Sequence, residues 1–139
     1  MVSVRNLLLM LDLSTARAGE RDRGMPASIL VVDDDEIMLG VYRRVFSATD
    51  YTISLASSFS EAAGLIGSND YDLLITDLCL GNGLGTDLIR LFEEKRPGRR
   101  SLLVTGSLHE AAAEKLPELY FEKPFDVAEF LAAVASALP

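Results

Sequence analysis

The chain has 139 residues, 49% of them apolar, with 13 Lys and Arg against 21 Asp and Glu for a net charge of −8. This length suits one domain with a real hydrophobic core, and the acidic balance argues against a general nucleic-acid or anionic-membrane binder, leaving proteins and cations as the expected partners. The single cysteine, Cys79, excludes an internal disulfide framework and suits a reducing, cytoplasmic setting, and no apolar run reaches the ~20 residues of a membrane span.

Residues 1–27 differ from the rest. Positions 4–13 are apolar and could form about three helical turns, whereas 14–26 carry Arg17, Glu20, Arg21, Asp22 and Arg23 with two glycines, the composition of a solvated linker. A secretory signal is not expected, because the basic leader is nearly missing and Asp12 interrupts the apolar part. Met25 suits a natural start just before the first strand, which makes 1–27 a flexible N-terminal extension and 28–139 the domain. The alternative is a helix that docks on this domain or on a partner.

Ile29, Leu30, Val31 and Val32 form the first expected strand and run directly into Asp33, Asp34, Asp35 and Glu36. Two carboxylates ~5 Å apart at an effective dielectric of ~20 repel by roughly 3 kcal/mol, so the cluster implies either a cation or a helix N-terminus that welcomes acids. The helical pattern over 36–48 places Ile37, Val41, Val45 and Phe46 on one face, with Arg43 and Arg44 on the other. A strand follows at 52–56, then a helix over 60–66 with Ser60 as its cap.

The third strand, 73–76, again ends in acid, at Asp77, and is followed by the turn containing Gly81, Gly83 and Gly85. A helix over 86–95 carries Leu88, Ile89, Leu91 and Phe92 and stops before Pro97 and Gly98. Strands at 102–105 and 119–121 flank a helix within 108–116 that Pro117 cannot continue. Asp126 opens the last helix, with Val127, Phe130, Leu131, Val134 and Leu138 as apolar positions. Five strands alternating with helices specify an α/β doubly wound domain, a parallel sheet with helices on both faces. In such sheets ligands bind outside the carboxyl ends of the strands, where Asp77 could meet Asp33 and Asp34.

Four motifs in order carry a family resemblance: Val31-Val32-Asp33-Asp34 at the first strand, Asp77 at the end of the third, Val104-Thr105-Gly106 at the fourth, and Tyr120-Phe121-Glu122-Lys123-Pro124-Phe125 at the fifth. Residues 29–138 resemble the receiver domain of two-component response regulators, of the stand-alone, chemotaxis-regulator-like kind. The resemblance implies a flavodoxin-like fold with strand order 2-1-3-4-5.

It further implies that Asp77 accepts a phosphoryl group from a histidine kinase or phosphotransfer protein, which is nucleophilic catalysis by a carboxylate. Mg²⁺ (or Mn²⁺) would screen the meeting of two anions, held by Asp34 directly, by Asp33 largely through water and by the backbone carbonyl of Cys79. Lys123 would pair with the acceptor and then with the phosphoryl group. Thr105 would hydrogen-bond a phosphoryl oxygen, and Tyr120 would be the aromatic whose rotamer reports the phosphorylated state. Thr76, a strand neighbour of Asp77, faces away. Pro124 would follow a cis peptide bond that aims Lys123 into the site.

On this reading phosphorylation repacks the face formed by the helix within 108–116 and the fifth strand, and binding of a downstream protein changes. The chain is then a signalling receiver rather than an enzyme, limited to self-phosphorylation from small donors and autodephosphorylation, with no direct nucleic-acid or membrane partner. Asp35 and Glu36 remain for the helix start.

The sequence also departs from the family. Gly81 stands where proline often follows the acceptor, which implies a more mobile loop. Only 17 residues separate Thr105 from Lys123, so the intervening helix is expected to be short or irregular. Cys79 and Ser107 occupy positions that tune dephosphorylation in such domains, and His109 reads as an exposed helix residue. Two rivals stand beside the phospho-acceptor: a degenerate receiver that binds proteins without phosphorylation, and a nucleotide-binding enzyme using the glycine turn. The turn lacks both the full Gly-x-Gly-x-x-Gly spacing and a Walker lysine. A haloacid-dehalogenase-like phosphatase would need an aspartate where Cys79 stands.

Overall fold

The structure, a computed structural model, describes residues 25–106, 117 and 119–139. The expected helix within 108–116, Ser107, His109 and most of the N-terminal extension lie outside the described residues. Chain order is β1 (Ser28–Val32), α1 (Glu36–Phe46), β2 (Thr52–Ala56), α2 (Phe59–Ser68), β3 (Leu73–Thr76), α3 (Gly85–Lys95), β4 (Arg100–Thr105), β5 (Tyr120–Glu122) and α4 (Val127–Ala137). The strands form one parallel sheet in the order β2-β1-β3-β4-β5, the arrangement expected of a flavodoxin-like domain.

Because successive strand residues point to opposite faces, each strand feeds two cores. Ile29, Val31, Leu73, Ile75, Leu102 and Val104 face α1 and α4, where Tyr42, Phe46, Phe130 and Val134 cover them. On the opposite face, Leu30, Val32, Leu74 and Leu103 are covered by Ala62 and Ile66 of α2 and by Leu88, Ile89 and Phe92 of α3. β1 and β3, at the centre of the sheet, are therefore apolar almost throughout and deliver their following aspartates to one edge.

Two helices differ from expectation. α1 buries Leu39, Tyr42 and Phe46, while Ile37 is 78% exposed and Val41 37% exposed. Of the expected apolar positions, Phe46 is buried and Val45 packs against the core, and the side carrying the two large rings is buried because aromatic side chains remove the most apolar area from water. α2 begins at Phe59 rather than at Ser60, with Ser58 as its cap. Ser58 accepts from the Glu61 N–H at 3.1 Å, and Glu61 Oε1 reaches back to the Ser57 N–H at 2.8 Å. This reciprocal serine-to-glutamate pattern satisfies two donors at the helix start, which Ser60 cannot do. In the last helix Asp126 caps as expected, accepting from Glu129 N–H, but Val127 is exposed.

Candidate functional site

The site is assembled at the carboxyl ends of β1, β3, β4 and β5. Asp33 leaves β1 with its N–H on the Ala56 carbonyl at 3.1 Å, and Asp77 leaves β3 with its N–H on the Val32 carbonyl at 3.0 Å. Adjacent central strands thus place the two aspartates side by side. Asp33 is fully buried, Asp34 is exposed on the turn to α1, and Asp77 keeps 14% of its side chain open. One carboxylate oxygen from each of the three lies within 4.8 Å of the other two. Asp35, by contrast, caps α1 by accepting from Ile37 N–H, so the acidic run divides between site and helix start.

Lys123 enters from the opposite side. Its backbone N–H donates to the Thr105 carbonyl at 2.8 Å, which sets it at the end of β5 against the end of β4. Its ammonium donates to Asp33 Oδ2 at 2.7 Å and to Asp77 Oδ2 at 3.2 Å. The Lys123–Pro124 peptide is cis. Thr105 is buried at the same strand end, and Tyr120 is half-buried against the core shared with α2 and α3. Thr76, as expected, turns elsewhere; its hydroxyl donates to the Asp77 carbonyl. Cys79 lies on the loop after Asp77, where it pairs antiparallel with Leu84.

Burial raises the Asp77 pKa above the usual carboxylate value, Lys123 pulls it back, and the charge on Asp33 raises it again. For Lys123, burial lowers the pKa, but the hydrogen bond to Asp33 and the charges of Asp77 and Asp33 outweigh it and leave the ammonium above its ordinary value. Asp77 Oδ1 accepts from the Leu78 N–H at 2.7 Å, which fixes the carboxylate's orientation. The arrangement offers a partly open carboxylate, a fixed cation and two further carboxylates, the donor set of a hard divalent ion.

Two supports had no signal in the sequence beyond residue type. A Cβ at Gly85 would lie 1.9 Å from the Asp77 carbonyl oxygen, so only glycine lets α3 start against the acceptor candidate's backbone. Tyr42 is buried on α1; burial raises its pKa, followed by the charges of Asp33 and Asp77. Its ring stacks at 6.1 Å on Phe125, two residues after Lys123. The expected apolar positions on α1 include Phe46 and Val45, which reach the core, but pass over Tyr42.

The family model described as "Response regulator receiver domain" matches residues 29–135. Among relatives, the acid tolerance regulatory protein ActR of Sinorhizobium medicae (strain WSM419) is 30% identical over 115 residues, covering 80% of this chain and 59% of its own length. Response regulator MprA of Mycobacterium sp. (strain KMS) is 30% identical over 120 residues, covering 82% of this chain and 51% of its own. The chain therefore spans a little over half the length of these relatives. Among solved structures, the signal receiver domain of an HD-domain-containing protein from Pseudomonas fluorescens Pf-5 superposes with a TM-score of 0.72 at 28% identity, over 81% of this chain and 94% of that one. A response regulator from Burkholderia pseudomallei, solved with a phosphorylated aspartic acid, a calcium ion and citrate, gives 0.66 at 31% identity, over 77% and 65%.

Proposed function

The chain belongs to the response regulator receiver domain family, the phospho-accepting signalling modules of two-component systems, and on that premise we propose that Asp77 is its acceptor and that Asp33, Asp34 and the Cys79 carbonyl hold a divalent cation, Mg²⁺ or Mn²⁺. The observation that carries this reading is the convergence of Asp33, Asp34 and Asp77 within 4.8 Å, with Lys123 bonded to two of them. The family relative from Burkholderia pseudomallei, with its phosphorylated aspartic acid and calcium ion, adds support.

In the proposed step a carboxylate oxygen of Asp77 attacks the donor phosphorus. A P–O bond to Asp77 forms as the donor's P–N bond to histidine, or P–O bond to a small acyl phosphate, breaks. The leaving group departs with the electron pair; the histidine imidazole takes up a proton, whereas the carboxylate of an acyl phosphate leaves as the anion. A bound divalent cation would supply neutralising charge between the attacking carboxylate and the phosphoryl oxygens. Leu78 N–H orients the carboxylate, and Lys123 offsets the repulsion between Asp77 and Asp33 that would otherwise favour a protonated, non-nucleophilic acid. After transfer, Thr105 at the end of β4 donates its hydroxyl to a phosphoryl oxygen, and Tyr120 follows that movement. Partner binding then changes on the β5 side of the domain.

The physiological donor is a histidine kinase or phosphotransfer protein, and the receiver acts on a downstream protein in the cytoplasm. The test is incubation with acetyl phosphate and Mg²⁺, followed by intact-mass measurement. The wild type should gain about 80 Da, stable to acid and labile to base as an acyl phosphate is, and Asp77→Asn should not. An adduct retained in Asp77→Asn would move the acceptor elsewhere; no adduct on the wild type would favour a receiver that binds proteins without phosphorylation.

A further inference from the structure

At the open edge of the sheet, away from the acidic site, Arg43, Phe46 and Ser47 at the end of α1, Tyr51 just before β2, and Ile53 and Leu55 along β2 line a shallow groove of about 270 Å³. β2 is an end strand of the sheet, and edges of this kind are ordinarily covered, bulged or charged, because they present unpaired backbone groups. Here the Thr52 N–H donates to Ala27 at 2.8 Å. The two-residue alternation then turns the Ile53 and Leu55 N–H groups outward, away from β1. The two β2 residues that line the groove are therefore the two whose amides face the open edge. The volume falls just below the ~300 Å³ at which small-molecule pockets begin, and the lining has a single charged side chain, Arg43, on the rim. It suits two or three apolar side chains better than a polar metabolite.

We propose that residues 4–13 of this same chain seat in the groove and cover the β2 edge. The segment offers Val4, Leu7, Leu8 and Leu11 at the i, i+3, i+4, i+7 spacing by which an amphipathic helix anchors in an apolar groove. Asp12 brings a carboxylate for Arg43. The chain enters the fold at Ala27, whose carbonyl is bonded to the first residue of β2, so the segment is tethered one strand spacing from the groove. As a random coil, residues 14–26, rich in charge and glycine, would have a root-mean-square reach of ~20 Å. At that tether the local concentration of the segment is on the order of millimolar, enough to fill a groove of modest affinity.

The experiment uses the full-length chain and its Leu8→Asp, Leu11→Asp double variant, both ¹⁵N-labelled, with backbone amide exchange followed at two protein concentrations tenfold apart. In the wild type the Ile53 and Leu55 amides should exchange severalfold more slowly than in the variant. Shift differences should be confined to Arg43, Phe46, Ser47, Tyr51, Ile53 and Leu55, and should be unchanged on dilution. Amides remote from the groove serve as the internal control that the variant retains the fold. Equal exchange at Ile53 and Leu55, or shift differences centred on another face, would overturn the proposal. So would a difference that disappears on dilution, since that would place the segment on a second copy.

Discussion

Lys123 Nζ lies 2.7 Å from Asp33 Oδ2, nearer than its 3.2 Å approach to Asp77. The ammonium is thus anchored on the most deeply buried carboxylate and shared with the acceptor candidate. Replacing it by methionine removes the cation from two largely buried acids. The cost should be about 1–3 kcal/mol at pH 7, below the full penalty for a buried pair because Lys123 retains some contact with water. Because the partners hold the folded-state pKa of Lys123 above 10.5, its stabilising contribution is fully present below that value. It is lost as the pH rises through the folded pKa. Urea titrations should show the wild-type advantage at pH 7 shrinking in that alkaline range; equal stabilities at pH 7 would mean that Lys123 carries no such load.

Asp77 has the opposite effect on the resting fold. Its pKa is raised above 3.8, first by burial and then by Asp33, against the pull of Lys123. The folded state therefore holds the Asp77 proton more tightly than the unfolded chain, and stability present below pH 3.8 is lost as the pH rises through the folded pKa. Asp77→Asn should then be more stable than the wild type at pH 7, by about 1 kcal/mol for each unit of displacement. The two should converge below pH 3.8. Denaturant midpoints measured at both ends of that window check the sign, and a less stable Asn variant at pH 7 would contradict it.

Much of this site was legible because its parts sit at strand ends. β2 and β3 fall on the expected residues, since short apolar runs bounded by polar residues leave little freedom of register. Asp33 and Asp77 follow from the ends of β1 and β3, whereas Thr105 and Lys123 are singled out only by the family resemblance. What the sequence hid depends on three-dimensional packing. On α1 the expected apolar set divides, with Phe46 and Val45 at the core and Ile37 and Val41 exposed, and the aromatic cluster of Tyr42, Phe125 and Phe130 marks the side that is buried. Gly85 reads as one glycine among three until its hydrogen is found against the Asp77 carbonyl. The bond from Lys123 to Asp33 spans 90 positions of chain and has no local signature.

The three clustered carboxylates should respond differently to neutralisation. Asp34 is exposed, so Asp34→Asn should leave apo stability within about 0.5 kcal/mol while weakening Mg²⁺ binding. Asp33 accepts from both Lys123 and the Asp35 N–H, so Asp33→Asn should cost stability in the apo state as well as cation affinity. Thermal midpoints with and without Mg²⁺ separate the two effects. At a hundred times its dissociation constant the ion should stabilise the wild type by about 2.7 kcal/mol, and a clearly smaller gain is expected for Asp34→Asn. An undiminished gain in that variant would remove Asp34 from the cation site.

The loop after Asp77 makes the sharpest test of backbone. Gly81 has φ of +74°, whereas proline is fixed near −65°. The proline common at this place in the family cannot enter without rebuilding the turn. That turn is held by Leu80 N–H on Gly83 and Asn82 N–H on Leu80. Gly81→Pro should therefore destabilise the chain by about 3 kcal/mol or more, and Gly81→Ala by about 1–2 kcal/mol, the cost of a left-handed conformation for an L-residue. Gly85→Ala acts by a different route: its methyl carbon would overlap the Asp77 carbonyl oxygen at 1.9 Å. Relief requires α3 and the backbone of Asp77 to separate. Acetyl phosphate labelling should fall further in Gly85→Ala than in Gly81→Ala, even with both variants assayed at temperatures where they remain folded. Equal labelling would show that the geometry proposed for Asp77 tolerates a displaced α3.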